Sequence, residues 1–157
     1  MDYSTLKLIH ILSATLLFGT GLGSAFYKWM ADRSKNLQAM AHTNEIVVMA
    51  DWLFTTPTVI IQPVTGIWLL HMLGIPFSQP WVVAVFVLYF VAGACWLPVV
   101  WLQIKMRDMS QYAVQQGSGV GDQYHRYAHF WFWLGVPAFI SMVAVYFLMV
   151  FKPVINF

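Results

Sequence analysis

Charged side chains make up only 9% of this 157-residue sequence, whereas an ordinary soluble domain carries about 25%. Hydrophobic residues reach 60% and aromatics 17%. A chain this short leaves a large fraction of its folded surface in solvent, so that much apolar area cannot be hidden from water. The shortage of charge therefore excludes a soluble enzyme and a disordered segment. Cysteine is nearly missing as well. Cys95 stands alone, which excludes an internal disulfide, a secreted disulfide scaffold and a cysteine-rich zinc site. The net charge of +2 is scattered, with no basic patch to hold a nucleic acid. An integral membrane protein is what remains.

Long uncharged apolar runs fill the space that charge vacates. A bilayer core about 30 Å thick needs roughly 20 apolar residues in a helix. Four stretches have that length without an internal charge: 8–27, 52–74, 81–104 and 130–151. Backbone amides in lipid have no water to bond, so each stretch is expected to be a helix. The fold class expected is all-α, a four-helix membrane bundle, with residues 1–157 forming one membrane domain. Lys7 ahead of the first run resembles the start of a signal peptide. The run is too long, however, and Gly23, Ser24 and Ala25 lead into Phe26, Tyr27 and Lys28 without an A-x-A site, so it is read as a true span.

Lysine and arginine set the orientation. The first and third connections hold Lys28, Arg33, Lys35, Lys105, Arg107 and Arg126, against Lys7 and Lys152 on the other face. Six against two places the two longer connections in the cytoplasm and both termini outside, in a bacterial inner membrane. Trp29, Trp52, Trp81, Trp101, Trp131 and Trp133 fall near the expected interfaces. Asn36 to Ala50 has helical composition and should run into the second span. The Gly117–Gly121 glycine run reads as a hinge, after which Asp122 is placed to cap a helix continuing into the fourth span. Asp51 is read in the same way, as a cap before the second span.

Some features are ambiguous between packing and function. Gly19-x-x-x-Gly23 gives the first helix a face that another backbone can approach, either inside the bundle or in a dimer. Pro57, Pro63, Pro98 and Pro137 each remove a helical hydrogen bond and bend a helix or shape a cavity. Thr55, Thr56, Thr58, Gln62 and Thr65 make the second span the most polar, which suits bonding between helices.

Histidine carries most of the chemical information, because an ionisable group inside a membrane is a functional candidate. His10 lies in the first span and His71 near the end of the second, at a similar depth on antiparallel helices. If they face one another they suit haem iron, copper or zinc. If not, each is an interfacial residue bonded to a carbonyl or water. His125 and His129 are four apart and share a helix face, the spacing of a metal pair. Arg126 occupies the place where a zinc protease needs Glu, and no carboxylate or cysteine completes an obvious site, with His42 and Asp122 the residues that could approach. A solvated interfacial pair is the plainer reading.

Four motifs now carry a resemblance: Leu6-Lys7-x-x-His10, Ala50-Asp51-Trp52-Leu53-Phe54-Thr55-x-Pro57, Trp96-Leu97-Pro98-x-x-Trp101-x-Gln103-x-x-Met106-Arg107, and Trp131-Phe132-Trp133-Leu134-Gly135-x-Pro137. Together they resemble a family of predicted bacterial integral membrane proteins known only as a domain of unknown function. That resemblance implies four spans and no particular activity. More distantly, Lys7-x-x-His10, Gly66-x-Trp68-Leu69, Trp131-Phe132 with Val136-Pro137, and Lys152-Pro153 resemble the HemJ-type protoporphyrinogen oxidases of haem biosynthesis. It implies haem b, with the first-helix histidine, here His10, as ligand. Leu134-Gly135 stands where those oxidases have Asn-Glu, so the groups expected for the oxidation itself are missing.

Three functions follow as expectations. The first is a redox protein holding haem b, with His10 as axial ligand and His71 as a second. The alternative is a cofactor-free membrane subunit or assembly protein, working as a homo-oligomer or within a membrane complex. The third, a small transporter or metal-handling protein, lacks the inverted repeats and midplane charges of that class.

Overall fold

A computed structural model describes residues 1–153. Five helices account for nearly all of it: α1 (Tyr3–Ser34), α2 (Leu37–Ala50), α3 (Thr56–Met72), α4 (Pro80–Gln116) and α5 (Asp122–Phe151). A five-residue π-helical segment, Asp51–Thr55, joins α2 to α3 without a break. The result is four long apolar rods, three of them extending well past a bilayer core and the fourth formed by α2, the π segment and α3. At 1.5 Å per residue, the 37 residues of α4 span about 55 Å, roughly 25 Å more than the core of a bilayer. The surplus forms a helical extension at one end, built from the last turns of α1, all of α2, the end of α4 and the start of α5.

Local chemistry sets the helix limits. Asp2 caps α1 by accepting from the Thr5 amide at 3.0 Å, and Asn36 caps α2 by accepting from the Ala39 amide at 3.1 Å. Lys35, in the left-handed region at φ 54°, closes α1 and turns the chain back at once. Gly74 (φ 64°) and Gly117 (φ 62°) end α3 and α4 in the same region, where glycine carries no Cβ penalty. Two expectations change here. Residues 105–116 continue α4 rather than forming a polar connection, and Asp122 is the first residue of α5, with Gly121 as the cap and no side-chain capping bond.

The π segment has an identifiable cause. Pro57 has no N–H for the carbonyl four residues back, and its ring crowds that carbonyl. Widening the helix relieves the crowding, and the Thr56 amide reaches back five residues to the Asp51 carbonyl. Pro63 creates a similar deficit at the Val59 carbonyl, and Tyr89 of α4 fills it, donating its hydroxyl at 2.7 Å.

Packing is uneven. α1 lies along α2 and α3, α4 lies along α5, and the two pairs join firmly where α2 meets α4 in the extension. Met40, Val99, Leu102, Met106, Tyr124 and Trp131 form a core at that end, and Trp81, Val82 and Leu148 a smaller one at the other. Between these cores the pairs meet loosely. The outer faces, including Phe90, Leu97, Ile140 and Val150, are apolar and exposed, as lipid contact requires. Gly19, Gly21 and Gly23 have no neighbouring backbone within 4 Å of where a Cβ would sit, so the small-residue face does not serve packing inside the bundle.

Candidate functional site

Two cavities occupy the space between the helix pairs, and Tyr89 and Met142 line both. The bond that Pro63 invites from Tyr89 thus also fixes part of the partition.

His10 lines the cavity nearer the chain termini, of about 440 Å³. Its Nδ1 lies 2.7 Å from Thr65 Oγ1. The Thr65 hydroxyl already donates to the Ile61 carbonyl at 2.7 Å, so it accepts from His10, and the imidazole proton belongs on Nδ1. Nε2 keeps its lone pair and has no hydrogen-bond partner among the described residues. Gln62 reinforces the same seam, donating to the His10 carbonyl and to Ser13 Oγ, both at 2.8 Å. Gly66 lies against the ring: a Cβ there would come within 3.3 Å of His10 Cε1. The walls are otherwise mostly apolar, with Lys7 and Lys152 also lining the cavity.

Asp51 lines the other cavity, of about 530 Å³, toward the helical extension. It is only 5% exposed, and its Oδ1 accepts from Thr55 Oγ1 at 2.8 Å. Asp51 is therefore a buried carboxylate on the π segment and not the interfacial cap expected from its place before Trp52. Trp131 is likewise buried, at 7% exposure, with its ring packed inside the protein.

Beyond this cavity, in the extension, Lys28 is fully buried, at 0% exposure. Its ammonium donates to Asp32 Oδ2 at 3.0 Å, Asn44 Oδ1 at 2.8 Å and Tyr124 OH at 3.2 Å, which uses all three of its protons. Tyr124 donates to Asp32 Oδ1 at 2.6 Å, and Asn44 Nδ2 donates to Tyr124 OH at 2.9 Å and Ser110 Oγ at 3.1 Å. The Trp131 ring lies 5.4 Å from the Lys28 ammonium. The cluster clamps α1, α2, α4 and α5 together. Counting apolar residues alone puts Lys28 in a connection, although Asp32 one helical turn later is the available signal of a continuing helix.

The remaining histidines do not converge. His71 is exposed and does not line the His10 cavity. His125 and His129 are exposed on α5, with ring centroids 5.9 Å from Tyr124 and 6.2 Å from Trp133 respectively. His42 and Asp122 are exposed too, and no three His, Cys, Asp or Glu side chains among the described residues are grouped to hold a metal.

Four apolar membrane-length rods around two internal cavities define a four-span helical membrane protein. The chain belongs to the family described as predicted integral membrane protein (DUF2269), which it matches over residues 4–153. No curated protein and no solved structure matches it.

Proposed function

We propose that this protein binds haem b in the His10 cavity, with His10 Nε2 as an axial ligand. The observation that carries the reading is the His10–Thr65 bond, which holds the proton on Nδ1 and leaves the other nitrogen as a donor. A hydrogen bond on the distal nitrogen is the usual way a protein orients a ligating imidazole. The residues present suit the group. Apolar walls match the macrocycle, and Lys7 and Lys152 are cations available to its propionates. His71 stands outside the cavity, whereas Met142 and Met149 line it, and a thioether is an established companion to imidazole on haem iron. When bound, haem would supply one-electron chemistry. The protein's part is to bind it, orient it and exclude water. The Lys7-x-x-His10 motif, similar to the first helix of the HemJ-type oxidases, points to the same residue.

The reading includes a location in a bacterial inner membrane with both termini outside. With Lys28 neutralised by Asp32, the charge bias still favours the extension as the cytoplasmic end: Arg33, Lys35, Lys105, Arg107 and Arg126 against Lys7 and Lys152. The His10 cavity then lies toward the outer leaflet.

The test is a visible spectrum of protein purified in mild detergent from haem-supplemented cells, oxidised and then reduced with dithionite. A Soret band with sharpened reduced bands, lost in His10→Ala and shifted in Thr65→Val, is expected. A folded but colourless wild-type protein would overturn the reading and leave a cofactor-free membrane subunit in its place.

A further inference from the structure

Among the described residues, four buried side-chain polar atoms lack any hydrogen-bond partner: Asp51 Oδ2, Gln103 Oε1, Trp96 Nε1 and Trp131 Nε1. All four residues line the Asp51 cavity. Asp51 and Gln103 are each 5% exposed and Trp131 is 7% exposed, so lipid and bulk water reach them poorly. Each unmet group costs about 1–3 kcal/mol when nothing satisfies it. Scattered defects would not be expected to line one cavity, drawn as these are from the π segment, α4 and α5. Gln103 lies close enough to Asp51 for its amide to turn an N–H toward the carboxylate, so the groups that stay unmet in either amide orientation are the two indole donors, with the carboxylate beside them.

The same cavity is kept wide. Gly21 of α1, Gly93 of α4 and Gly135 of α5 line it, and at none of them would a Cβ meet any atom within 4 Å. Glycine inside a helix is destabilising relative to alanine, and close helix approach is its usual justification. No such approach exists at these positions. What they have in common is the cavity. Its rim includes Leu22 and Phe26 on α1 and Phe132 and Phe139 on α5, all exposed on the apolar outer surface, so a path leads sideways into lipid between two helices that do not pack closely.

We propose that the Asp51 cavity binds a neutral, lipid-soluble molecule with a hydroxyl head and a hydrocarbon body. A hydroxyl carries one donor and two acceptor sites, the complement in kind of a carboxylate and two indole N–H groups. The Gln103 amide turns to present either its oxygen or its NH₂ to the same head. An anionic head would meet the Asp51 carboxylate, and a bare hydrocarbon would leave the two indole N–H groups unpaired. A cavity of about 530 Å³ is in the range of small-molecule sites. The site shares Tyr89 and Met142 with the cavity proposed for haem but rests on other residues, so either proposal stands without the other.

The experiment equilibrates delipidated full-length protein with oleyl alcohol, methyl oleate or 1-octadecene, and counts bound molecules by native mass spectrometry. These probes share an 18-carbon chain and differ in the head: donor and acceptor, acceptor only, neither. One hydrogen bond to a buried group corresponds to about tenfold in affinity. Oleyl alcohol is therefore expected to bind the wild type about tenfold or more tightly than 1-octadecene, with methyl oleate between them. Asp51→Asn combined with Gln103→Leu should shrink that preference to about twofold while chain binding persists. Gly93→Leu and Gly135→Leu, on different helices, should each abolish binding of all three probes with elution volume unchanged. Equal binding of the three probes by the wild type, as a water-filled space or an unspecific lipid groove would give, overturns the proposal without recourse to any variant. Undiminished binding in both leucine variants overturns it as well.

Discussion

Two buried polar groups lie close together in this molecule and are built on opposite terms. In the extension, Lys28, Asp32, Asn44 and Tyr124 partner one another, and the buried ammonium has as many acceptors as protons. On the neighbouring cavity wall, Asp51, Gln103, Trp96 and Trp131 leave four buried atoms without partners. Trp131 belongs to both, with its ring near Lys28, its indole N–H unpartnered and the residue lining the cavity. A buried charge with every bond made holds its surroundings in one arrangement, whereas a buried polar atom with none made is a standing cost that a ligand can remove. The first group is a clamp and the second a receptor.

That contrast can be broken by substitution. Removing the ammonium should have the largest effect: Lys28→Ala is expected to lower stability by about 3–5 kcal/mol, read as a fall in melting temperature in detergent, because it strips a buried partner from Asp32, Asn44 and Tyr124 together. Tyr124→Phe should cost about 2 kcal/mol in the same assay, since it withdraws an acceptor from Lys28 and a donor from Asp32. Tyr89→Phe strands the carbonyl that Pro63 freed, and should cost about 1–2 kcal/mol. Two glycine changes sharpen the comparison between the cavities. Gly135→Ala adds a methyl in open space and is expected to raise stability by about 0.5–1 kcal/mol. Gly66→Ala forfeits that gain by pressing on the His10 ring, and should alter any haem spectrum that His10 supports. Asp51→Asn should change stability least, by under about 0.5 kcal/mol, because the amide keeps an oxygen to accept from Thr55. If Asp51→Asn proved as damaging as Tyr124→Phe, the distinction between clamp and receptor would fail.

Much of the architecture was readable from residue order. Four uncharged runs of bilayer length gave four rods, and the helical composition of Asn36 to Ala50 was matched by α2. His10 was singled out because an imidazole at that depth stands out in an apolar run, and it does line a cavity. The polar partners were harder to see. Asn44, Ser110 and Tyr124 are unremarkable in sequence, lying 16, 82 and 96 residues beyond Lys28, and only the crossing of four helices gives them a common purpose. Asp51 looked like a cap because it precedes an apolar run. Pro57 converts that boundary into a π segment within a continuous helix, which carries the carboxylate inward.

The sequence by itself determined that this chain lives in a bilayer and crosses it four times. Hydrophobic length is a local property, and lipid tolerates only helices in such runs. Tertiary structure decided which polar groups are paired and which are left over. Hydrogen bonding at 3 Å depends on the rotation of each helix and on where it crosses its neighbours, and no single stretch of sequence specifies either. His10 finds Thr65, Lys28 finds Asn44 and Tyr124, and the indoles of Trp96 and Trp131 are left over, because of how the two helix pairs lean on one another.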